Sequence, residues 1–390
     1  MTAPEFLPFA LPDIGEAEIA EVVETLRSGW ITTGARTRQF EAEFAAYTGA
    51  KHTLAVNSCT AALHLALEAV GVKRDDEVLV PTVTFAATAE VVRYLDAKPV
   101  LVDCRADDLT LDVDRAAAAV TPRTKAIIPV HYSGTPCDMD AIMALAKRHG
   151  LAVVEDAAHA LPTEYKGRKV GTIGDITCFS FYATKTVTTG EGGMVTTAND
   201  AWADRMRVMC LHGISKDAWK RYTASGSWYY EILAPGYKYN LTDIASAIGI
   251  HQLRRCEEMW RRRRELAMYY REAFGQFEEL ELPAERPGMR HAWHLFPVRL
   301  HLEKLAINRA AFMDGLREAG IGASVHFIPL HLHPYYRDTY GCKPQDCPVA
   351  AREYERLVSL PLYSKMTDAE ARRVVAAVSG LLAKGRLKRG

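Results

Sequence analysis

Seven short β-rich runs alternate with helical patterns between about residue 50 and residue 200, and this alternation constrains the fold more than any other sequence feature. The runs cover residues 53–56, 77–80, 99–103, 125–130, 151–155, 176–180 and 194–197. Two intervening helical patterns have clear ends: one begins at Ser58 and stops at Gly71, and another begins at Asp138 and stops at Gly150. Together they predict an α/β fold with a mostly parallel sheet.

The chain has 390 residues, which is more than one core usually holds, so we expect two domains. A long helical pattern from residue 244 to about residue 274 should link a large α/β domain (1–255) to a smaller α+β domain (256–390). In the smaller domain we expect a strand at 295–300, a helix at 308–319 and a strand near 323–326. Near the N-terminus, Asp13 and Glu16 have the spacing of a helix capping box.

Charge and composition disfavour several function classes. Lys plus Arg and Asp plus Glu both count 48, which argues against a nucleic-acid partner, and we interpret Arg261 to Arg264 as a solvated helix face. No stretch approaches 18 apolar residues, so we expect no membrane span. Eight scattered cysteines and no secretory signal at Met1 predict reduced thiols in a cytoplasmic protein. The histidines and cysteines from His326 to Cys347 match no common zinc spacing, so we expect no metal.

Two residues near predicted strand ends could carry chemistry. Asp156 follows the run at 151–155, where open α/β sheets bind ligands, although it could instead cap a following helix. Lys185 lies between a β-like run and a glycine-rich turn. Taken by itself it would be interpreted as a solvated surface lysine, but partial desolvation would allow Schiff-base chemistry. With Ser180 and the helix start at Ser58, the pair meets the needs of pyridoxal phosphate, namely a carboxylate, an amine and a phosphate site.

Seven segments, taken in order and spacing, form a specific pattern over nearly the whole chain. They are GWITTG (29–34), NSCTAAL (57–63), PTVTF (81–85), VHYSG (130–134), EDAAH (155–159), residues 180–193 and PGYKYNLTD (235–243). The pattern resembles the DegT/DnrJ/EryC1/StrS family of pyridoxal-phosphate-dependent nucleotide-sugar aminotransferases. The resemblance implies fold type I, with a large cofactor-binding domain and a smaller C-terminal domain.

The resemblance also implies residue roles. Lys185 would form the Schiff base and transfer protons, and Asp156 would pair with the pyridine nitrogen. Asn240 would reach the phosphate of a neighbouring subunit's cofactor, so the resemblance implies a homodimer with shared active sites. The other implied cofactor contacts are Ser58, Thr60, the backbone of Ala61 and Ser180 at the phosphate, Phe85 stacked on the ring and His159 near its phenolic oxygen.

Substrate contacts are expected from four further residues. Lys220 and Arg221 lie in a loop rich in aromatic residues, where they would meet a diphosphate; plain solvent exposure is the equal alternative. His326 matches a segment that borders the sugar-nucleotide pocket of relatives. Tyr182 stands where some members have histidine, and Cys59 stands where the family often has glycine.

The resemblance implies an aminotransferase that moves an amino group from L-glutamate to C4 of a nucleotide-linked 4-keto sugar, through the pyridoxamine form of the cofactor. The amino sugar would serve polysaccharide, lipopolysaccharide or other glycoconjugate synthesis. Amination at C3, or of a cyclitol ketone, is the runner-up. A non-catalytic binding protein or regulator on the same fold is the remote alternative, and the presence of Asp156, Lys185, Ser180 and Thr60 together argues against it.

Overall fold

The seven predicted β-rich runs all form strands of one sheet. The structure is a computed structural model that describes residues 5–215 and 229–387. Its first nine strands are β1 (His52–Val56), β2 (Glu77–Pro81), β3 (Lys98–Val102), β4 (Thr124–Ile127), β5 (Ala152–Asp156), β6 (Glu164–Tyr165), β7 (Arg168–Lys169), β8 (Ile176–Ser180) and β9 (Gly193–Thr197). Seven of these pair in the order β1-β9-β8-β5-β4-β2-β3.

The central sheet is mostly parallel. Strand β2 is parallel to β3 and β4, and β5 is parallel to β4 and β8. Strand β9 runs antiparallel to both β8 and β1. The predicted α/β class is therefore confirmed. Because parallel strands end at one edge of a sheet, Pro81, Asp156 and Ser180 lie along the same edge.

Helices cover both faces of this sheet. They are α1 (Glu16–Arg27), α2 (Ala35–Thr48), α3 (Cys59–Ala69), α4 (Ala87–Arg93), α5 (Val113–Ala118), α6 (Met139–His149), α7 (Asp200–Cys210) and α8 (Asp243–Arg254). Successive residues of β5 enter opposite cores, Val153 on one face and Val154 on the other, as the alternation of a strand requires. Both predicted helix starts are confirmed, because Ser58 is the N-terminal cap of α3 and Asp138 is that of α6.

The C-terminal part of the chain has its own sheet and core. It contains α9 (Cys256–Phe274), β10 (Leu280–Glu281), β11 (Met289–Arg290), β12 (Phe296–Leu300), α10 (Arg309–Glu318), α11 (Pro334–Tyr340), α12 (Pro348–Arg356), β13 (Leu357–Leu360) and α13 (Asp368–Gly385). Strands β10, β12 and β13 form the sheet. Leu7 also packs in this core, and β11 pairs with β6 of the larger part. The boundary at residue 255 stays a prediction.

Three sequence predictions of local structure are wrong. The capping residue of α1 is Gly15, whose N–H donates to Glu18 at 3.0 Å. Asp13 instead forms an ion pair with Arg255. The predicted helix 244–274 is two helices, α8 and α9, which meet at Arg255. Arg255 also binds Glu18, so these contacts fix the break and the start of α1 together. The strand expected near 323–326 is a single bridge between Ser324 and Ser359.

One arginine of the run on α9 is buried, and two others form ion pairs at the surface. Arg263 is 2% exposed and donates to the backbone oxygens of Trp293, His294 and Leu362. Arg262 pairs with Asp368 at 2.7 Å, and Arg264 pairs with Glu285 at 3.1 Å. The interpretation of this run as a solvated face is therefore wrong for Arg263, whose guanidinium ties α9 to two loops.

Neither a membrane-spanning helix nor a metal-binding cluster is found in the described ranges, residues 5–215 and 229–387. No helix there has both the length and the apolar character needed to cross a bilayer. Within those same ranges, no group of three or more His, Cys, Asp or Glu side chains is arranged to hold a metal ion.

Candidate active site

A cavity of about 470 Å³ opens at the carboxyl edge of the parallel strands. Residues far apart in the sequence meet there because β2, β5 and β8 end at this edge and α3 begins beside it. Nine predicted site residues line the cavity: Ser58, Thr60, Phe85, Asp156, His159, Ser180, Tyr182, Lys185 and His326. The structure therefore brings these nine positions together around one cavity, and their roles stay predictions.

Asp156 ends β5 and is 5% exposed. Its Oδ2 accepts a hydrogen bond from the Thr88 hydroxyl at 2.8 Å, and its Oδ1 accepts one from the N–H of Ala158 at 3.0 Å. Burial raises the pKa of Asp156, while these two hydrogen bonds and the nearby Lys185 oppose that rise. No helix follows directly, because β6 is the next element, so the alternative that Asp156 caps a helix is wrong.

Lys185 lies on the turn after β8 and lines the same cavity. Its backbone N–H donates to the carbonyl of Tyr182 at 2.9 Å, and Gly190, with φ of 81°, allows the chain to return toward β9. The pKa of Lys185 is lowered to about 8, chiefly by burial and to a smaller extent by the charge of Arg263, while Cys59 and Asp156 oppose the shift. A pKa of about 8 increases the fraction of neutral amine near neutral pH, and the neutral amine is the form that a nucleophile or base requires.

The first turn of α3 forms the other side of the cavity. Ser58 caps this helix by accepting a hydrogen bond from the N–H of Ala61 at 3.1 Å. The amide of Ala61 is therefore already bonded, whereas the remaining first-turn amides have no partner inside a helix. A side chain at Gly193 would lie 2.7 Å from the Ser58 carbonyl, so only glycine lets β9 approach this turn. Together with the hydroxyls of Thr60 and Ser180, the turn suits an anion.

Aromatic rings form the remaining wall. Phe85 is 64% exposed although it lines the cavity, and its ring lies 6.1 Å from that of Phe327. Phe327 in turn stacks on His159 at 5.8 Å. Burial and the charge of Lys185 lower the pKa of His159 well below its ordinary value and that of His326 to about 4. Both imidazoles are therefore neutral at pH 7.

Two of the predicted residues that the structure describes do not line this cavity. Ala61 contributes no lining, and its amide is used by Ser58. Asn240 borders a separate cavity of about 680 Å³, where its amide donates to Thr33 at 2.7 Å. Lys220 and Arg221 lie outside the described residues.

The cavity lining also includes residues that the sequence analysis did not predict, among them Thr88, His294 and Phe9. Thr88 bonds to Asp156, and its spacing of four residues from Thr84 is the signal that could have revealed it. His294 lies 4.4 Å, ring to ring, from His159, and its Nδ1 is buried with no hydrogen-bond partner among the described residues. Phe9 stacks on His326 at 5.2 Å. No motif marks Phe9, because only tertiary packing brings the N-terminal segment here.

Comparisons with known proteins agree on one family. The sequence profile described as the DegT/DnrJ/EryC1/StrS aminotransferase family matches residues 12–379. Protein MJ1066 of Methanocaldococcus jannaschii, whose function is uncharacterized, is 53% identical and covers 99% of this chain and 100% of its own length. The spore coat polysaccharide biosynthesis protein SpsC of Bacillus subtilis is 51% identical, with 97% of each chain covered.

Among solved structures, Spr1654 of Streptococcus pneumoniae, described as a sugar aminotransferase, is similar in its pyridoxamine-phosphate form with a TM-score of 0.91. It is 35% identical, and the match covers 97% of this chain and 98% of that one. The pyridoxal-phosphate form of the same protein gives a TM-score of 0.90 at 35% identity, covering 97% and 99% of the two chains.

The residues of the cavity fit pyridoxal phosphate. A carboxylate and an amine, Asp156 and Lys185, face one space with an exposed aromatic ring, Phe85, and a hydroxyl-rich helix N-terminus. A phosphate suits that N-terminus, and an aromatic ring suits Phe85. Pyridoxal phosphate is the cofactor of this enzyme, a transaminase. The chain belongs to the DegT/DnrJ/EryC1/StrS aminotransferase family.

Proposed function

We propose that the enzyme transfers an amino group from L-glutamate to C4 of a nucleotide-linked 4-keto sugar. The observation that carries this proposal is the pairing of Lys185, with its lowered pKa, and the buried Asp156 in one cavity. The similarity to SpsC, a spore coat polysaccharide biosynthesis protein, supports a sugar product that enters a polysaccharide. Amination at C3, or of a cyclitol ketone, is the alternative that uses the same residues.

Each residue has a proposed task. Bound pyridoxal phosphate supplies an electron sink that stabilises negative charge on the carbon losing a proton. Lys185 Nζ holds the cofactor covalently at rest and, once released, removes and returns the proton at the reacting carbon. The charge of Asp156 keeps a proton on the pyridine nitrogen. Ser58, Thr60 and Ser180 hold the phosphate at the N-terminus of α3.

Further side chains would contact the cofactor ring and the substrate in this proposal. Phe85 offers its exposed face to the cofactor ring, and the neutral imidazole of His159 donates toward the phenolic oxygen. The amide of Ser133 donates to His159 Nδ1 at 3.3 Å, so the ring proton is on Nε2 and is free to donate. His326 and Tyr182 line the outer cavity, where a sugar would enter. Lys220 and Arg221, outside the described residues, are proposed partners of the diphosphate.

The spectrum of the purified enzyme tests the first half of the reaction. We expect a visible absorption band of lysine-bound cofactor that L-glutamate converts to the pyridoxamine form, with 2-oxoglutarate released. Lys185→Ala should lose turnover, whereas Lys125→Ala, which removes an exposed lysine on β4, should not. Substantial steady-state transamination by Lys185→Ala would refute the role of Lys185.

The sugar half is tested separately. Enzyme that L-glutamate has converted to the pyridoxamine form is mixed with nucleotide-linked 4-keto sugars, 3-keto isomers and a cyclitol ketone. Amine formation is followed by mass spectrometry, and NMR identifies the carbon that carries the amine. Return of the visible band with the 4-keto sugars at the highest kcat/KM supports C4 specificity. A higher kcat/KM for a 3-keto isomer or the cyclitol ketone would contradict C4 specificity and favour the alternative substrate.

We also propose a homodimer in which Asn240 serves the partner's active site. Asn240 lies outside the cavity that contains Lys185, beside the end of β1, with Lys238 Nζ donating to its Oδ1 at 2.6 Å. Mixed dimers of Lys185→Ala and Asn240→Ala chains test this arrangement. Shared sites give each mixed dimer one intact site and recover activity above both parent variants, whereas action within one chain gives no recovery.

A further inference from the structure

A chain of two buried threonine hydroxyls ends on the carboxylate of Asp156. Thr88 is 0% exposed and Thr84 is 2% exposed. The hydroxyl of Thr88 donates to Asp156 Oδ2 at 2.8 Å, and the hydroxyls of Thr84 and Thr88 lie 2.7 Å apart. Neither threonine is among the residues to which the family resemblance assigned a role.

The direction of this chain follows from the number of protons available. An ionised carboxylate only accepts hydrogen bonds, so the single hydroxyl proton of Thr88 points at Asp156. Thr88 must therefore accept in its contact with Thr84, and Thr84 must donate. The two hydroxyl dipoles line up toward the negative charge, and neighbouring hydrogen bonds of this kind polarise and strengthen each other.

This arrangement answers a physical difficulty at the site. A carboxylate that is 5% exposed is costly in its charged form, and burial raises the pKa of Asp156. The protein supplies two hydrogen bonds to it, one to each oxygen, from Ala158 N–H and from Thr88. The Ala158 bond belongs to the local turn, so Thr88 is the side chain that can be altered without changing that backbone.

We propose that Thr88, supported by Thr84, is a positioning residue that keeps Asp156 ionised and oriented so that the proton shared with the cofactor remains on the pyridine nitrogen. The inference rests on the proposed function, because it takes Asp156 as the partner of that nitrogen. Without the Thr88 hydroxyl the carboxylate is a stronger base, and the shared proton moves from the nitrogen toward Asp156.

The test places ¹⁵N at the ring nitrogen of pyridoxal phosphate and records its chemical shift in the holoenzyme at pH 7. We expect Thr88→Val to move the resonance toward the unprotonated position, by about a tenfold change in the proton distribution, as loss of one hydrogen bond to a charged group implies. Thr84→Val should move it less, in the same direction. Thr88→Ser keeps the hydroxyl and should stay close to wild type.

A matched control separates this effect from the loss of any buried hydroxyl. Thr196→Val removes a hydroxyl that is 1% exposed and donates to the carbonyl of Gly171 at 2.8 Å, away from the cavity. Its ring-nitrogen resonance should match wild type. If Thr88→Val does not yield folded holoenzyme, the shifts of Thr84→Val and Thr88→Ser decide the question.

Two outcomes overturn the proposal. One is an unchanged resonance in Thr88→Val, or in Thr84→Val where that variant decides; the other is a shift in Thr88→Ser as large as that in Thr88→Val. Failure of the proposed function would give a different result in the same measurement. The readout needs no sugar, so a wrong substrate leaves it unaffected, and an unchanged resonance in Asp156→Asn would show that Asp156 does not contact the nitrogen.

Discussion

The lowered pKa of Lys185 implies a measurable cost in stability for the protein without cofactor. The pKa falls from 10.5 to about 8 because the amine is surrounded by protein. At pH 7 that shift makes the neutral amine about 300-fold more abundant than in an unperturbed lysine. Below pH 8 both folded and unfolded chains carry the charge, and the folded chain bears the cost of shielding it from water.

The cost disappears as the pH rises. Between pH 8 and pH 10.5 the unfolded chain holds a proton at Lys185 that the folded chain has lost, so the free energy of unfolding increases with pH. A shift of about 2.5 units corresponds to about 3 kcal/mol at most, and the partial opening of Lys185 to the cavity reduces this toward about 1 kcal/mol. Lys185→Met has no such proton and should show no such increase.

Urea unfolding of cofactor-free wild type and Lys185→Met at pH 7 and pH 10.5 measures this difference. Wild type should gain about 1 to 3 kcal/mol relative to Lys185→Met between the two pH values. All other titrating groups are common to both proteins and cancel to first order. Lys125→Met, which removes an exposed lysine, should behave like wild type. A wild-type-minus-variant difference that is the same at both pH values would refute the assignment of a lowered pKa to Lys185.

Three more perturbations test other parts of the site. Phe85→Ala should raise the dissociation constant of pyridoxal phosphate about two- to tenfold in a titration of cofactor-free enzyme, because a ring contact is lost, while Phe85→Tyr should match wild type. Gly193→Ala places a carbon 2.7 Å from the Ser58 carbonyl, so it should lower the free energy of unfolding by about 1 to 3 kcal/mol and weaken cofactor binding. Gly380→Ala, with no atom within 4 Å of the added carbon, is its control and should be neutral or stabilising in urea unfolding. Asp156→Asn should slow the glutamate half-reaction at least about 100-fold in stopped-flow absorbance; a rate within tenfold of wild type would contradict its role.

The central sheet could be predicted because its signals are local. Each buried strand is a short apolar run, and Ser58 and Asp138 mark helix starts by the hydrogen bonds their own side chains make. Those signals need no knowledge of distant contacts. The same reasoning failed at Asp13 because its carboxylate pairs with Arg255, a residue 242 positions later, and at Arg263 because its carbonyl partners come from two other loops.

In the candidate site, too, residues with local sequence signals could be predicted, and residues placed by distant contacts could not. Asp156 is the last residue of β5 and Lys185 lies on the turn after β8, so their convergence at one edge is implied once the strands are recognised. Thr88 reaches Asp156 for a different reason: β4 is the only strand between β2 and β5, and α4 begins just beyond the end of β2. That strand order is a property of the whole sheet and leaves no pattern near residue 88. Residues that face ligand at a strand end are therefore predictable from sequence here, whereas those that hold such a residue from a neighbouring element depend on the order in which the strands pair.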